Sequence, residues 1–405
     1  MIRVGIVVQR YGLEVVGGSE TLARDVAERL NASGFDVTVF TTTAKDYITW
    51  KNEYKPGDTI LKGVQVKRFN VEKERNIDSF NRFSETIYAK IPNTSPQEET
   101  EWLQQQGPYS PTLIEALHKS QPDFDLYIFF TYLYYSAIEG MKVIEKPVVL
   151  FPTAHDEPPI YLNFMNNVFN RPDALFFLTQ SEMDFVKKKF NPFNSCALVR
   201  TGVEFCDNID AELFKRRYFQ YAPYILYAGR IEKGKGLELA FDAFHEIRKK
   251  RLVDFVLIGK KLMDIPQIDG IRYNGFVSEE EKLSAFKGAV VSIQPSPFES
   301  LSITTLESFS QKTPVLVNKK CHVLEEHVNL SGAGFAYEDV NDFIRRFYTL
   351  YDDRKLRKKM GMKGYGYVKE FYSWDVVMGK IKEHLYKLVH VSNSKASSDE
   401  MKKDE

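Results

Sequence analysis

The sequence predicts an α/β protein of two successive halves, each a doubly wound parallel sheet, with a cleft between them. Three observations lead there. The chain has 405 residues, too many for one ordinary hydrophobic core. Its first segment, Val4 to Thr42, runs strand, helix, strand, the unit that sets strands in parallel. A second such alternation begins at Tyr224, after a stretch from Thr201 to Ala222 with little apolar periodicity. In sheets of this kind ligands bind outside the carboxyl ends of the strands, so the turns that follow strands are the places to look for chemistry.

Taken in order, Val4 to Gln9 is a short apolar run suited to a buried parallel strand. A helix follows from Ser19, with Leu22, Ala23, Val26, Ala27 and Leu30 at helical spacing and Gly34 placed to stop it. Asp36 to Thr42 is the next strand. Residues 44 to 122 are less regular: Val64 to Phe69 alternates like a strand, and Ser84 to Ala89 and Ser110 to Lys119 read as helices. Strands at Asp125 to Phe130, Val148 to Phe151, Leu175 to Thr179 and Cys196 to Val199 complete the first half. The second half has strands at Tyr224 to Ala228, Asp254 to Gly259, Val290 to Gln294 and Pro314 to Asn318. Its helices are Leu237 to Lys250, one opened by a capping box at Ser278 to Glu281, one starting near Leu301, Val340 to Tyr351, and Arg354 to Phe371. Trp374 to Val389 is a final amphipathic helix. The domains expected are therefore 1–203, a linker over 204–222, a second domain over 223–370, a last helix within 371–391, and a polar tail over 392–405 expected to be disordered.

Composition narrows the classes. Hydrophobic residues are 43% and charged residues 27%, the balance of a soluble globular chain. Lys+Arg and Asp+Glu are both 55, so no overall field favours nucleic acid. Cys196, Cys206 and Cys321 lack C-x-x-C spacing, which fits neither a disulfide framework nor a zinc site and agrees with a reducing cytoplasm. The apolar run of MIRVGIVVQR is too short for a signal peptide, and no run approaches the ~18 apolar residues of a membrane span. Asp123-Phe124-Asp125 precedes a strand, the wrong end for a metal-binding D-x-D, and reads as structural.

Four constellations lie at strand-to-helix turns. Gly17-Gly18-Ser19-Glu20 opens the first helix, either as a backbone seat for an anion or as a plain turn capped by Ser19; G-x-G-x-x-G is absent, against a dinucleotide site. His155, in Pro152-Thr153-Ala154-His155-Asp156-Glu157, is either a ligand contact at the end of a strand or a histidine held by Asp156. Gly229 to Gly236 carries Arg230 and Lys235 around glycines at a helix start, where both cations can reach one diphosphate; a solvated basic turn is the other reading. Glu299 and Glu307 lie a little over two helical turns apart, at about 3.6 residues per turn, on either side of a helix start that favours an anion; ordinary solvated or capping acids are the other reading. Two acids around such a seat suit a ligand with phosphates in the middle and hydroxyls at both ends, a nucleotide-sugar.

Together with Gly202-Val203, Pro314-Val315 and Tyr372-Ser373-Trp374, these motifs resemble the retaining glycosyltransferases of family 4 (glycosyl transferases group 1), over nearly the whole chain. The resemblance implies the GT-B fold, two facing Rossmann-like domains, with the last helix crossing back to the first. It implies that Arg230 and Lys235 neutralise the donor diphosphate and that Gly17 and Gly18 offer backbone N–H groups. Glu307 would bind the ribose, Glu299 the donor-sugar hydroxyls with the backbone of Ser300, Leu301, Ser302 and Ile303, and His155 the sugar. Where many members have Gly-Phe-Gly, this chain has Ser300-Leu301-Ser302, a bulkier turn. The function implied is metal-independent transfer from a UDP- or GDP-sugar to a saccharide or lipid-linked saccharide, in cell-surface polysaccharide or glycan biosynthesis. The enzyme would be cytoplasmic, with peripheral contact at the inner membrane face. Phe80 to Lys90 and Trp102 are the acceptor-side candidates. The alternatives are a nucleotide-sugar epimerase or hydrolase of the same fold, and a non-catalytic nucleotide-sugar-binding scaffold.

Overall fold

The structure is a computed structural model that describes residues 1–15, 17–206, 208–299 and 301–401. The chain forms two compact units. The first comprises Met1–Leu178, Glu182–Arg200 and the chain from Met378 onward; the second comprises Thr201–Val377 with Thr179–Ser181.

The first unit is built on an eight-stranded sheet of β1 (Arg3–Val7), β2 (Asp36–Thr42), β3 (Gly57–Leu61), β4 (Val64–Phe69), β5 (Leu126–Phe130), β6 (Val148–Phe151), β7 (Ala174–Phe177) and β8 (Ser195–Leu198). Their order is β3-β4-β2-β1-β5-β6-β7-β8. Every pairing is parallel except β3 with β4, a hairpin at the edge. From β1 the chain winds outward to β2 and β4, then returns to lay β5 on the other side of β1. That reversal opens a crevice at the carboxyl ends of β1 and β5. The central strands are apolar on both faces, as burial between helix layers demands: β5 and β6 are buried at every residue. Phe130 and Phe151 stack at 4.7 Å between ring centres. A helix not foreseen from the sequence, Pro96–Gln106, starts with a complete capping box: Ser95 Oγ accepts from Glu98 N, and Glu98 accepts from Ser95 N at 2.9 Å.

The second unit holds a wholly parallel six-stranded sheet of β9 (Tyr224–Ala228), β10 (Asp254–Ile258), β11 (Ile271–Tyr273), β12 (Val291–Gln294), β13 (Val315–Asn318) and β14 (Gly334–Tyr337). The order is β11-β10-β9-β12-β13-β14, so the winding reverses between β9 and β12. The turns after those two strands are the loop from Gly229 and the loop from Pro295. Residues 213–218, within the expected linker, are helical instead. Phe214 is fully buried there beside Tyr224, and its N–H donates to Ser284 Oγ at 3.0 Å. One and a half turns are too short to show an apolar period, which hid this helix in the sequence.

Two further differences concern helix ends. The helix expected near Leu301 runs over Ile303–Ser310, because Ser302 holds a left-handed backbone (φ 66°, ψ 76°) that delays its start. The last helix runs from Trp374 to Met401, well into the tail expected to be disordered, since no glycine or proline follows Gly379 to interrupt it. Lys402 to Glu405 lie outside the described residues. In that helix Ile381 and Leu385 are fully buried, and Phe176–His384 and Phe35–Tyr386 ring contacts join it to the first unit.

Candidate active site

In the second unit the loop after β9 turns through glycines with positive φ at 155° (Gly229), 92° (Gly234) and 70° (Gly236). At Gly236 the requirement is also steric: a Cβ there would stand 2.3 Å from the Pro295 carbonyl oxygen. This close approach brings the loop after β9 against the loop after β12. As a result Lys235 Nζ bonds Glu299 Oε1 at 2.7 Å, with both side chains about one-fifth exposed (23% and 20%). Arg230 is more open, 3.2 Å from Glu232 Oε1, and its carbonyl accepts from Tyr227 O–H at 2.7 Å. Burial, then the Glu299 and Glu232 charges, pushes the Tyr227 phenol far up, so it stays a neutral donor.

The segment after β12 is fixed by several bonds. Asn318 Nδ2 donates to the Pro295 carbonyl at 2.9 Å, and Ser296 Oγ donates to the Phe298 carbonyl at 2.8 Å. Leu301 is buried, and its carbonyl lies 2.8 Å from His327 Nε2. A carbonyl only accepts, so Nε2 carries the imidazole proton; Nδ1 then accepts from Tyr367 O–H at 3.2 Å, whose oxygen is 3.2 Å from that of Tyr372. Ser302 Oγ lies 2.9 Å from Thr305 Oγ1 and makes no side-chain cap to the helix that Ile303 begins. Ser300 lies outside the described residues.

Glu307, one face-repeat into that helix, is only 8% exposed. Its Oε1 takes a hydrogen bond from Lys282 Nζ at 2.9 Å, and Lys282 also reaches Glu279 at 2.8 Å. Glu307 Oε2 is buried with no hydrogen-bond partner among the described residues. Burial pushes the Glu307 carboxyl up and Lys282 pulls against that rise. Lys282 was not foreseen: the sequence places it in a capped helix start, and only the fold reveals that this helix lies beside Glu307.

In the first unit, Gly17 caps the helix Gly18–Ala32 in extended conformation, with no side-chain cap. The alternative of a Ser19 cap therefore does not hold; Ser19 Oγ donates to Glu20 Oε2 at 3.0 Å instead. Glu20 is buried and also accepts from Gln9 Nε2 at 2.8 Å, from Arg10 Nε at 2.9 Å and from Arg10 Nη2. This buried ion pair lies directly under Gly17, where a Cβ would stand 2.2 Å from Glu20 Oε2, whereas a Cβ at Gly18 would meet open space. After β6, His155 Nε2 stands 3.3 Å from Glu157 Oε2, and Glu157 Oε1 accepts from the buried Tyr132 O–H at 2.5 Å. The carboxylate beside His155 is thus Glu157, while Asp156 accepts from Tyr161 O–H at 2.7 Å.

One expectation is corrected. Trp102 is fully buried with its indole N–H on Ser84 Oγ at 3.0 Å, and Phe80 and Ile87 are buried with it. Phe80, Ile87 and Trp102 thus join two helices of the core, while Arg82, Glu85 and Lys90 of the same stretch are exposed. Asp125 accepts from Arg3 N at 2.7 Å at the start of β5. Among the described residues no group of three or more His, Cys, Asp or Glu is placed to hold a metal, and no helix is long and apolar enough to cross a membrane.

Residues 208–367 match the family model described as glycosyl transferases group 1. Among curated proteins, sulfoquinovosyl transferase SQD2 of Arabidopsis thaliana is 26% identical over 171 residues, which is 40% of this chain and 33% of that protein. Alpha-D-kanosaminyltransferase of Streptomyces kanamyceticus is 29% identical over 164 residues, 37% of this chain and 42% of that one. The alignments thus span a third to two-fifths of those relatives. Among solved structures, sucrose-phosphate synthase from Thermosynechococcus elongatus superposes with a TM-score of 0.72 at 15% identity, covering 97% of this chain and 100% of that one. HepE of Anabaena, in complex with UDP and glucose, gives 0.71 at 13% identity, covering 96% and 100%. Such low identity speaks for the fold, and the fold is the two-sheet α/β class expected.

Proposed function

We propose, from the match of residues 208–367 to the glycosyl transferases group 1 model and from the GT-B fold, that the chain is a retaining glycosyltransferase of the family 4 kind. Its donor is a UDP- or GDP-sugar, and its acceptor is a hydroxyl of a saccharide or lipid-linked saccharide. The observation that carries this reading is the pairing of Lys235 with Glu299 at 2.7 Å, shortly before a helix start, with Arg230 on the same loop as Lys235. One cation, one carboxylate and one helix dipole at adjoining strand ends suit a sugar joined to a diphosphate. That the HepE structure was solved with UDP and glucose agrees with such a ligand.

Glu299 is paired with Lys235. A diphosphate arriving at the helix start takes over the ammonium, and the freed carboxylate turns to the sugar hydroxyls. As the C1–O bond to phosphate breaks, charge grows on the phosphate oxygen, where Arg230, Lys235 and the helix start stabilise it; such contacts are worth about 1.5–3 kcal/mol each. The acceptor oxygen bonds C1 on the same face and its proton passes to the departing phosphate oxygen, so no protein nucleophile and no metal enters the scheme. Gly17, Gly18 and His155 keep the donor-contact roles that the resemblance implies. The setting is polysaccharide or glycan assembly, with peripheral contact at the cytoplasmic face of a membrane.

Screening UDP- and GDP-sugars by thermal shift identifies the donor, and product analysis with donor alone or with saccharide acceptors identifies the reaction. Free sugar or an epimer from donor alone, with no transfer to any acceptor, sinks the transferase. With the donor in hand, Lys235→Ala lowers turnover at least tenfold at saturating donor while the unfolding midpoint stays put. Near-normal turnover refutes the role of Lys235.

A further inference from the structure

We propose that Lys282 is a positioning residue that locks one oxygen of Glu307, leaving the other as a single fixed acceptor for a hydroxyl of the nucleotide's ribose. This deepens, and rests on, the nucleotide-sugar reading. A carboxylate free to rotate offers two equivalent oxygens. Glu307 does not have that freedom, because Oε1 is bound to Lys282 Nζ at 2.9 Å and the side chain is only 11% exposed. The remaining oxygen is buried and unpartnered among the described residues, a costly state that a ligand hydroxyl relieves.

Lys282 is in turn held by Glu279 at 2.8 Å, one turn earlier on the same helix, so its ammonium is tethered from both sides. Burial alone would lower the Lys282 pKa, but Glu307 and Glu279 together hold it above its ordinary value, and it remains charged. Lys282 and Glu279 are also the charged groups that act on Glu307, the first favouring its ionised form and the second opposing it. Without the ammonium, burial and the Glu279 charge both favour a protonated Glu307, which no longer offers a free, fixed carboxylate oxygen.

The test is titration calorimetry of the full chain with UDP and GDP from pH 6 to pH 9. The unmodified chain binds one of them with little change over that range. Lys282→Met weakens binding at least tenfold at pH 6 to 7 and recovers as rising pH ionises Glu307. Lys282→Arg restores near-normal affinity. Glu307→Gln binds weakly at every pH, and adding Lys282→Met to it costs nothing more. Of the 2′-deoxy and 3′-deoxy forms of the nucleotide, one loses affinity for the unmodified chain and the other does not. Should Lys282→Met not fold, Lys282→Gln takes its place. Unchanged binding by Lys282→Met, or a pH-independent loss that persists on top of Glu307→Gln, overturns the positioning role, the second because it marks direct ligand contact. Equal losses for both deoxy forms overturn the single acceptor. Failure of the unmodified chain to bind either nucleotide overturns the nucleotide-sugar reading, and this inference with it.

Discussion

Ser302 holds a left-handed backbone, at φ 66°, where a residue with a Cβ pays roughly 1 kcal/mol that glycine does not. The expected effect of Ser302→Gly is a higher unfolding free energy, by about 1 kcal/mol less whatever its Oγ contact with Thr305 contributes. A fall in chemical-denaturation stability would show that the hydroxyl contact outweighs the strain. At Gly17 the sign is opposite. Gly17→Ala drives a methyl into a Glu20 carboxylate that Gln9, Arg10 and Ser19 hold in place, and about 1–3 kcal/mol of stability should be lost in the same measurement. At this scale the sequence places residues but does not pair them. Lys235, Glu299 and Glu307 could be singled out because each lies on the loop after a buried strand or on the helix that follows it. Lys282 with Glu307, and Tyr132 with Glu157, are not legible, because 25 positions of chain separate the partners in both cases and only the fold folds them together.

The elements around the site owe their shape to buried polar bonds. His327 is fully buried and donates to the Leu301 carbonyl, so His327→Phe leaves that carbonyl without its partner and should cost about 1–3 kcal/mol. His327→Gln keeps a donor and should recover part of the loss; equal losses in thermal unfolding would show that packing alone matters. The helix Pro96–Gln106 offers a pH-dependent case. Hydrogen bonds from Lys90 and from the Ser95 backbone hold the Glu98 carboxyl down to about 2, against 4.5 ordinarily. A depressed folded pKa gives stability that is present above 4.5 and lost as pH falls towards about 2. Glu98→Gln cannot titrate, so its stability gap to the parent should close over that interval in acid unfolding curves; a gap independent of pH would remove the carboxylate from the capping box. The start of this helix was legible in principle, as Ser95-Pro96-Gln97-Glu98 has the capping-box spacing with proline at the first helical position. What followed obscured it: glutamates and glutamines with Trp102 and Leu103 as the main apolar residues give almost no period.

Each unit of the molecule has its own core, organised around Phe129 and Leu150 in the first and Ile225 and Leu257 in the second. The alternation of strand and helix made both sheets legible, since a run apolar on both faces has few other homes. The short edge strands Ile271–Tyr273 and Gly334–Tyr337 were not, because runs of three and four residues are too short to show a strand period. Tryptophans report the units separately: Trp50 and Trp102 belong to the first and Trp374 to the second. Ending the chain after Val377 removes Ile381 and Leu385 from the first unit, where both are fully buried. Fluorescence of a Trp374→Phe background should then show the first unit unfolding about 10 °C or more earlier. An unchanged transition would mean that the last helix contributes nothing to that core.

The path of that last helix also has a consequence during synthesis. A ribosome delivers β1 to β8 first, then the whole second sheet, and only afterwards Ile381 and Leu385, which seal the first unit's core. The first unit emerges ahead of the second yet is completed after it, and waits with an unsealed apolar face while the second folds. Chaperones that bind exposed hydrophobic surface have their longest opportunity on the first unit, although it leaves the ribosome ahead of the second.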